Sequence, residues 1–510
     1  MILVAWDTDQ IKRYVFATTK LREIRGASAI LDDLNEEHIP AMVGPERIVY
    51  AGGGSAMAVV SDRAEAEDLI RRVARLYRRR TESAEITGAL LEMNDPSVSF
   101  GEHVKHLNFK LRARKDEKRQ RRSWLTSPVL KVCESCGQYP AESKSQEDLI
   151  CRSCEIKRQE SRRIRAPESI SRLRQLLDYA KARGQWGGLS VRRNAPEDFN
   201  EIGENASPDG YIGFVYCDGN RMGALLSQLK VRESFRDFSK GIRQALREAT
   251  FDALCRHFRD LKSDQTLPFE IIFIGGDDVV LVVAADKATE IAIDLCREFE
   301  RRSEPVIRDV GVGWFRQRVS MSAAVVLSHA SLPIYHLQAI ADDLLESAKR
   351  KSLEIFEKQQ KEVGCIDFHV VTASASDLPS IMRRTDWERT EQRPEGTLKL
   401  TLTERPYAAI ELETLVGRIR ALKASGFPSS KMQMLYEAIV DQSMTRAKSR
   451  WAFVAGRARK SEQPSKDQLV NLAAFFHPTV ATSPCPWRER EQDSFTTPMV
   501  DVAELYDFVK

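Results

Sequence analysis

Two apolar runs around a tight acidic turn, Phe273-Ile274-Gly275-Gly276-Asp277-Asp278-Val279-Val280-Leu281-Val282-Val283, constrain this chain more than any other stretch. Short runs of Val, Ile and Phe read as buried β-strands. The two glycines permit a hairpin too tight for most residues, with both aspartates at its tip. Adjacent carboxylates at a strand end suit a site that holds Mg2+ against a triphosphate. Taken alone, the four turn residues fit equally well with a surface turn that happens to be acidic, because Gly and Asp favour turns.

The surroundings of the turn favour the first reading. Upstream, Tyr211-Ile-Gly-Phe-Val-Tyr-Cys-Asp218-Gly219-Asn220 reads as a buried strand that ends in another aspartate and a turn. Downstream, a further apolar strand runs from Val319 to Leu327. An amphipathic helix from Tyr335 to Lys351 then places Leu337, Ile340, Leu344, Leu345 and Ala348 on one face. The expected order is strand 211–217, helix 232–261, strand 269–274, turn, strand 279–284, helix 287–302, strand 319–327, helix. This is a βαββαβ palm whose first strand lies beside the hairpin. Asp218 would then face Asp277 and Asp278, a carboxylate set suited to two metal ions.

Residues 50–60, Tyr-Ala-Gly-Gly-Gly-Ser-Ala-Met-Ala-Val-Val, resemble 273–283, with Gly54 and Ser55 where Asp277 and Asp278 stand. Each copy has an earlier strand that ends in aspartate, Asp7 or Asp218, and each runs on into a helix. Such a repeat implies two palms, of which only the second keeps its carboxylate pair. Chance likeness between two glycine-turn hairpins is the alternative. Two facing palms could each bind a nucleotide and bring a hydroxyl of one to the α-phosphate of the other, so one palm could lose its carboxylates.

Between the two copies, Cys133-Glu-Ser-Cys136 and Cys151-Arg-Ser-Cys154 have the spacing of two zinc knuckles that form a closed, structural site of four thiolates. Two disulfides or free thiols are the alternative. The other five of the nine cysteines are scattered, as suits a reducing cytoplasm. A basic run at 110–122 could contact phosphates, although a solvated helix face explains it as well. The segment from Glu155 to Arg174 is similarly charged. At 510 residues, 42% hydrophobic and 30% charged, with a net charge of +4, the chain has material for several core-forming domains and no balance that demands nucleic acid. No apolar run is long enough to span a bilayer, and the amino terminus reads as a β-strand rather than a signal peptide. No membrane partner is expected, and a cytoplasmic location is.

The fold expected is α+β: two ferredoxin-like βαββαβ palms with an intervening zinc ribbon and a carboxy-terminal helical bundle. The divisions are a degenerate palm at 1–105, a helical and zinc-ribbon insertion at 106–205, a second palm at 206–380 and a helical domain at 381–510. In the last, 383–399 is expected to be a polar stretch with few strand or helix signals. Helices are expected over 408–424, 430–455, 469–476 and 501–509, with a polar loop at 461–467.

These motifs together resemble the large Palm-domain subunit of type III CRISPR effector complexes (the Csm/Cmr large subunit). The likeness is carried by Asp7 with Ile11-Lys-Arg-Tyr-Val-Phe16 and Leu21-Arg-Glu-Ile-Arg-Gly-Ala-Ser28. It continues through Cys133–Cys154, Asp218-Gly-Asn-Arg-Met-Gly223, Gly275–Asp278, Ser322–His329 and Pro333–Leu337 through Ala348-Lys349-Arg350, to Thr403–Tyr407 and Leu422–Pro428. The resemblance implies synthesis of cyclic oligoadenylate from ATP with Mg2+ (or Mn2+), triggered by target RNA in a complex with crRNA and other effector subunits. It implies Asp218, Asp277 and Asp278 as catalytic metal ligands, and Gly275, Gly276 and Gly219 as positions where backbone approaches the nucleotide. Lys349 would neutralise triphosphate charge, although an exposed structural lysine fits there too. Ser28 and Asp7 would line the shared cleft, and Zn2+ would sit on Cys133, Cys136, Cys151 and Cys154.

Two departures bear on this expectation. Asn220 stands where the family often has a second aspartate, so metal affinity or nucleotide choice could differ. The sequence has no adjacent His-Asp pair, so no built-in HD-type nuclease is expected. An RNA-binding scaffold with weak or no synthase activity, and a stand-alone palm cyclase that makes another cyclic nucleotide, remain as alternative readings.

Overall fold

The computed structural model describes residues 1–510 except 96, 121–129, 146–147, 167–168, 170, 311–317, 372–377, 395, 442, 457–466, 470 and 473–486. The end of the basic run (121–122), most of the polar loop at 461–467 and the end of the helix expected at 469–476 therefore lie outside the described residues.

The amino-terminal unit alternates β1 (Ile2–Asp9), α1 (Ile11–Val15), α2 (Leu21–Asp33), α3 (Ile39–Val43), β2 (Ile48–Gly52), β3 (Ser55–Val60), α4 (Arg63–Thr81), β4 (Glu85–Glu92) and α5 (Phe100–Gln120). Its sheet runs β2-β3-β1-β4. A two-stranded hairpin, β5 (Ser143–Ser145) and β6 (Asp148–Ile150), leads into α6 (Arg152–Ile164), α7 (Arg172–Lys181), α8 (Val191–Asn194) and α9 (Phe199–Gly203). The second sheet is built from β7 (Tyr211–Gly219), α10 (Met222–Leu226), α11 (Arg232–His257), β8 (Phe269–Ile274), β9 (Asp278–Ala284), α12 (Ala285–Asp309), β10 (Met321–His329), α13 (Ile334–Gln359) and β11 (Cys365–Val370).

The second sheet runs β8-β9-β7-β10, continued by β11 and by β14 (Tyr407–Ala408). Its first four strands repeat the order of the amino-terminal sheet, so the repeat in sequence is a repeat in topology. The registers agree as well: Asp7 on β1 pairs with Ser55 on β3, as Asp218 on β7 pairs with Asp278 on β9. Period-2 alternation sorts the strands between two cores. Val4, Trp6, Phe214 and Tyr216 enter one; Leu3, Ala5, Val215 and Cys217 enter the other.

Three local expectations are corrected. The helix expected over 232–261 stops at His257, because Phe258 takes a non-helical conformation. The polar stretch 383–399 is not element-free: after α14 (Pro379–Met382), β12 (Glu388–Arg393) and β13 (Gly396–Thr401) form a hairpin in a four-stranded sheet with β15 (Arg488–Glu491) and β16 (Ser494–Thr496). Leu398 and Leu400 alternate with Thr397, Lys399 and Thr401 and are buried, a half-buried strand hidden among polar residues. The helix expected over 430–455 is two, α16 (Ser429–Asp441) and α17 (Met444–Gly456). They pack with α15 (Ala409–Ala424) and α18 (Met499–Tyr506) into the helical part of this region.

The charged segment after Glu155 is only partly a solvated face: Arg162 and Arg163 are exposed, but other charges turn inward. Lys157 and Arg158 are buried against the first palm. The Lys157 ammonium donates to the Tyr14 carbonyl at 2.6 Å, and the Arg158 guanidinium meets the buried Glu23 carboxylate at 2.7 Å. Burial of such groups is tolerated because each is paired.

Candidate nucleotide and metal site

The glycine turns of the two palms meet. Gly53, at φ 61°, lies so close that a Cβ there would fall 2.7 Å from the Gly276 backbone nitrogen. Gly275 is needed for space rather than for a left-handed backbone: a Cβ would fall 1.9 Å from Asp278 Oδ1. Its N–H donates to the Asp278 carbonyl at 2.7 Å and closes the hairpin. Gly276 faces open space. The Gly219 N–H donates to the Asp277 carbonyl at 3.0 Å, and a Cβ at Gly219 would crowd the Asp277 side chain at 3.1 Å.

Strand register therefore brings Asp218, Asp277 and Asp278 to one end of the β7–β9 pair. Their oxygens are spread: among the described residues only the four cysteines have ligand atoms all within 4.8 Å of one another. Like charges crowd this end. Burial, then Asp218 and Asp278, push the Asp277 carboxyl well above its ordinary range. Burial and Asp218 push Asp278 up to about 7. A carboxylate set under this strain fits a hard divalent cation, whose charge favours the ionised form.

Lys349 on α13 places its ammonium 2.7 Å from Asp218 Oδ2. The first palm repeats this arrangement without the carboxylate pair: Lys115, on the helix after its fourth strand, lies 2.6 Å from Asp7 Oδ2. Lys118 reaches Asp9 at 3.3 Å, and Thr87 donates to the same buried carboxylate at 2.8 Å. Part of the basic run thus neutralises first-palm carboxylates, while Lys110, Arg112 and Arg114 remain exposed.

Asn220 does not face the carboxylates. Its amide nitrogen donates to Ser320 Oγ and its oxygen accepts from Ser322 Oγ, both at 2.9 Å, and it is buried between β7 and β10. Ser28 is buried on α2 and accepts from Arg172 Nη1 at 2.9 Å; the same guanidinium donates to the Ile272 carbonyl and pairs with Asp32. Burial raises the Asp32 carboxyl to about 7 against the pull of Arg172. Ser28, Asp32 and Arg172 share a small hollow with Gly53, Gly275 and Asp278, so the first-palm helix forms one wall beside the hairpin.

Arg172, Lys115 and Lys12 were not singled out from sequence. Lys115 had a usable signal, since it follows the fourth strand of its palm as Lys349 follows that of the other. Lys12 lies in the Ile11–Phe16 motif and Arg172 in the charged segment after Glu155, but nothing local marked their partners, which lie 330 and 140 residues away.

The four knuckle cysteines form no disulfide. Cys133–Cys154 and Cys136–Cys151 sulfurs are each 3.8 Å apart. Bonds of about 2.3 Å at the tetrahedral angle separate sulfurs by about 3.8 Å, so the cluster fits a zinc ion. The first knuckle docks on the palm: Ser135 Oγ lies 3.0 Å from Thr18 Oγ1 and donates to Glu23. No helix among the described residues is long and apolar enough to cross a membrane.

Comparison with known proteins places this geometry. A family model described as "Cas10/Cmr2, second palm domain" matches residues 211–354. The chain is similar to the CRISPR system Cmr subunit Cmr2 of Pyrococcus furiosus, 26% identical over 166 residues. That match covers 29% of this chain and 18% of the relative, less than a fifth of its length. Among solved structures, Csm1 of T. onnurineus superposes with a TM-score of 0.59 at 16% identity, over 100% of this chain and 69% of that one. A Csm1–Csm4 cassette in complex with cA4 gives a TM-score of 0.58 at 14% identity, with the same coverage. At such identities the structural likeness speaks for the fold. Residues 211–354 thus match the model of a Cas10/Cmr2 second palm domain, and the whole chain shares its fold with Csm1.

Proposed function

We propose that this chain is a nucleotidyltransferase that joins ATP molecules through 3′–5′ linkages into cyclic oligoadenylate, as part of a type III CRISPR effector triggered by target RNA. The observation that carries the reading is the meeting of two topologically identical sheets at their glycine turns, with Asp218, Asp277 and Asp278 on one side and Ser28 on the other. The similar Csm1–Csm4 structures with cA4 and with pppApA give the ligand class.

In this reading Asp218, Asp277 and Asp278 would hold Mg2+ or Mn2+, which would supply activation of a 3′-hydroxyl and neutralisation of pyrophosphate charge. Lys349 leaves Asp218 to face the triphosphate. Gly276, with nothing above it, lets backbone approach the nucleotide. The first palm, where Lys115 and Lys118 already neutralise Asp7 and Asp9, binds a second nucleotide without needing a metal of its own. The four-cysteine cluster is separate from this chemistry: zinc on Cys133, Cys136, Cys151 and Cys154 would be structural, and crRNA and other effector subunits are partners.

The test is incubation of the protein, alone and with its effector partners, with ATP, Mg2+ and candidate target RNAs, followed by mass spectrometry. A cyclic product from wild type, lost in Asp277→Ala/Asp278→Ala, supports the reading. No cyclic product from wild type under any of these conditions, or an equal yield from the double variant, overturns it.

A further inference from the structure

We propose that Lys12, a first-palm residue, binds the phosphates of the nucleotide held at the carboxylates of the second palm. The proposal rests on the nucleotidyltransferase reading and adds to it a contact made across the two palms.

Lys12 sits on α1, the short helix directly after β1, but its side chain leaves its own palm. The ammonium pairs with Asp342 on α13 and lies 4.2 Å from the centroid of the Tyr216 ring. Tyr216 precedes Asp218 by two residues and so shares its face of β7. In the β7–β9 register Tyr216 lies opposite Val280 and Asp218 opposite Asp278, so Lys12 is stationed at the edge of the carboxylate set. On α13, Asp342 and Lys349 are seven residues apart, on one face and about 10 Å from each other along the axis. Two ammonium groups therefore stand along that wall: Lys349 at Asp218, and Lys12 at Asp342, one from each palm.

Lys12 also lines an open groove of about 930 Å3 with Asp7, Arg13, Lys115, Gln338 and Asp342, through which an anion can reach it. Its side chain is 29% exposed and that of Asp342 is 42% exposed. An ion pair this wet adds little to stability. The same ammonium facing a triphosphate makes charge-assisted hydrogen bonds, which are stronger. Asp342 thus holds the ammonium in place until a more highly charged anion arrives.

Calorimetric binding of a non-hydrolysable ATP analogue with Mg2+, on the full chain, tests this in wild type, Lys12→Met, Lys12→Arg and Asp342→Asn, with AMP as the ligand that lacks the β- and γ-phosphates. The expected result is an analogue affinity at least about tenfold weaker in Lys12→Met, restored to within about threefold in Lys12→Arg and not weakened in Asp342→Asn. AMP binding is expected to be indifferent to all three. If Lys12 serves only to tie the palms together, Lys12→Met and Asp342→Asn lower the thermal midpoint alike and leave analogue affinity unchanged, which overturns the proposal. Failure of wild type to bind the analogue overturns it as well. Analogue binding without any product formation removes the synthase reading but still lets the affinities judge Lys12.

Discussion

Replacing Asp278 with asparagine removes one charge from the crowded strand end while keeping the side chain's shape. Burial and the neighbouring Asp218 lift the Asp278 carboxyl from 3.8 to about 7 in the folded chain, whereas Lys12 and Arg172 pull it down by less. The folded state therefore holds this proton more tightly than the unfolded state, and wild-type stability falls as pH rises between about 4 and 7. Each pKa unit is worth about 1.4 kcal/mol, so the penalty grows to about 4 kcal/mol by pH 7 and is constant above it. Asp278→Asn escapes that penalty. In metal-free buffer its stability advantage is expected to rise by about 1 kcal/mol per pH unit from pH 4 to pH 7 and then level off. Urea unfolding of both proteins at several pH values from 4.5 to 8.5 measures it. Saturating Mg2+ should abolish or reverse the advantage at pH 8, since only wild type keeps the full carboxylate set. An advantage that is flat with pH, or a variant less stable than wild type at pH 8 without metal, would refute the electrostatic account.

Three further outcomes follow from the packing. Gly53→Ala sets a Cβ against the Gly276 nitrogen at a left-handed φ, and is expected to cost about 2–4 kcal/mol in urea unfolding while lowering nucleotide binding. Cys133→Ser or treatment with a strong chelator should release one zinc per chain by metal analysis and increase proteolysis around Ser135 and Glu23, where the knuckle meets the palm. Arg405, its side chain fully buried, pairs with Asp501 at 2.8 Å and Glu504 at 2.7 Å; Arg405→Met removes the cation from both buried carboxylates and is expected to cost about 3–5 kcal/mol by thermal or urea unfolding.

Much of the palm was legible because its signals are local. Runs such as Ile212–Cys217 and Val279–Ala284 announce buried strands by composition, and glycines with aspartates announce the turn between β8 and β9. The knuckle cysteines were legible for the same reason, since spacing alone sets the thiolates within reach of one ion. The β12–β13 hairpin was missed because only Leu398 and Leu400 mark it, too weak a period against polar neighbours. The partners of Asn220 were not legible, because sequence gives its position along the chain, not the side of the turn on which Ser320 and Ser322 wait.

The sequence by itself determined the main strands of the second palm, the twin glycine turns and the clustered cysteines, because hydropathy period and turn chemistry act over a few residues. Only the tertiary structure decided that Gly53 meets Gly276, that Lys157 and Arg158 are interior, and that Lys12 crosses from one palm to the other. Ion pairs and close backbone contacts join residues with no local signal between them. They exist only once the chain has closed, and burial then decides which charges are held and which are left to meet a ligand.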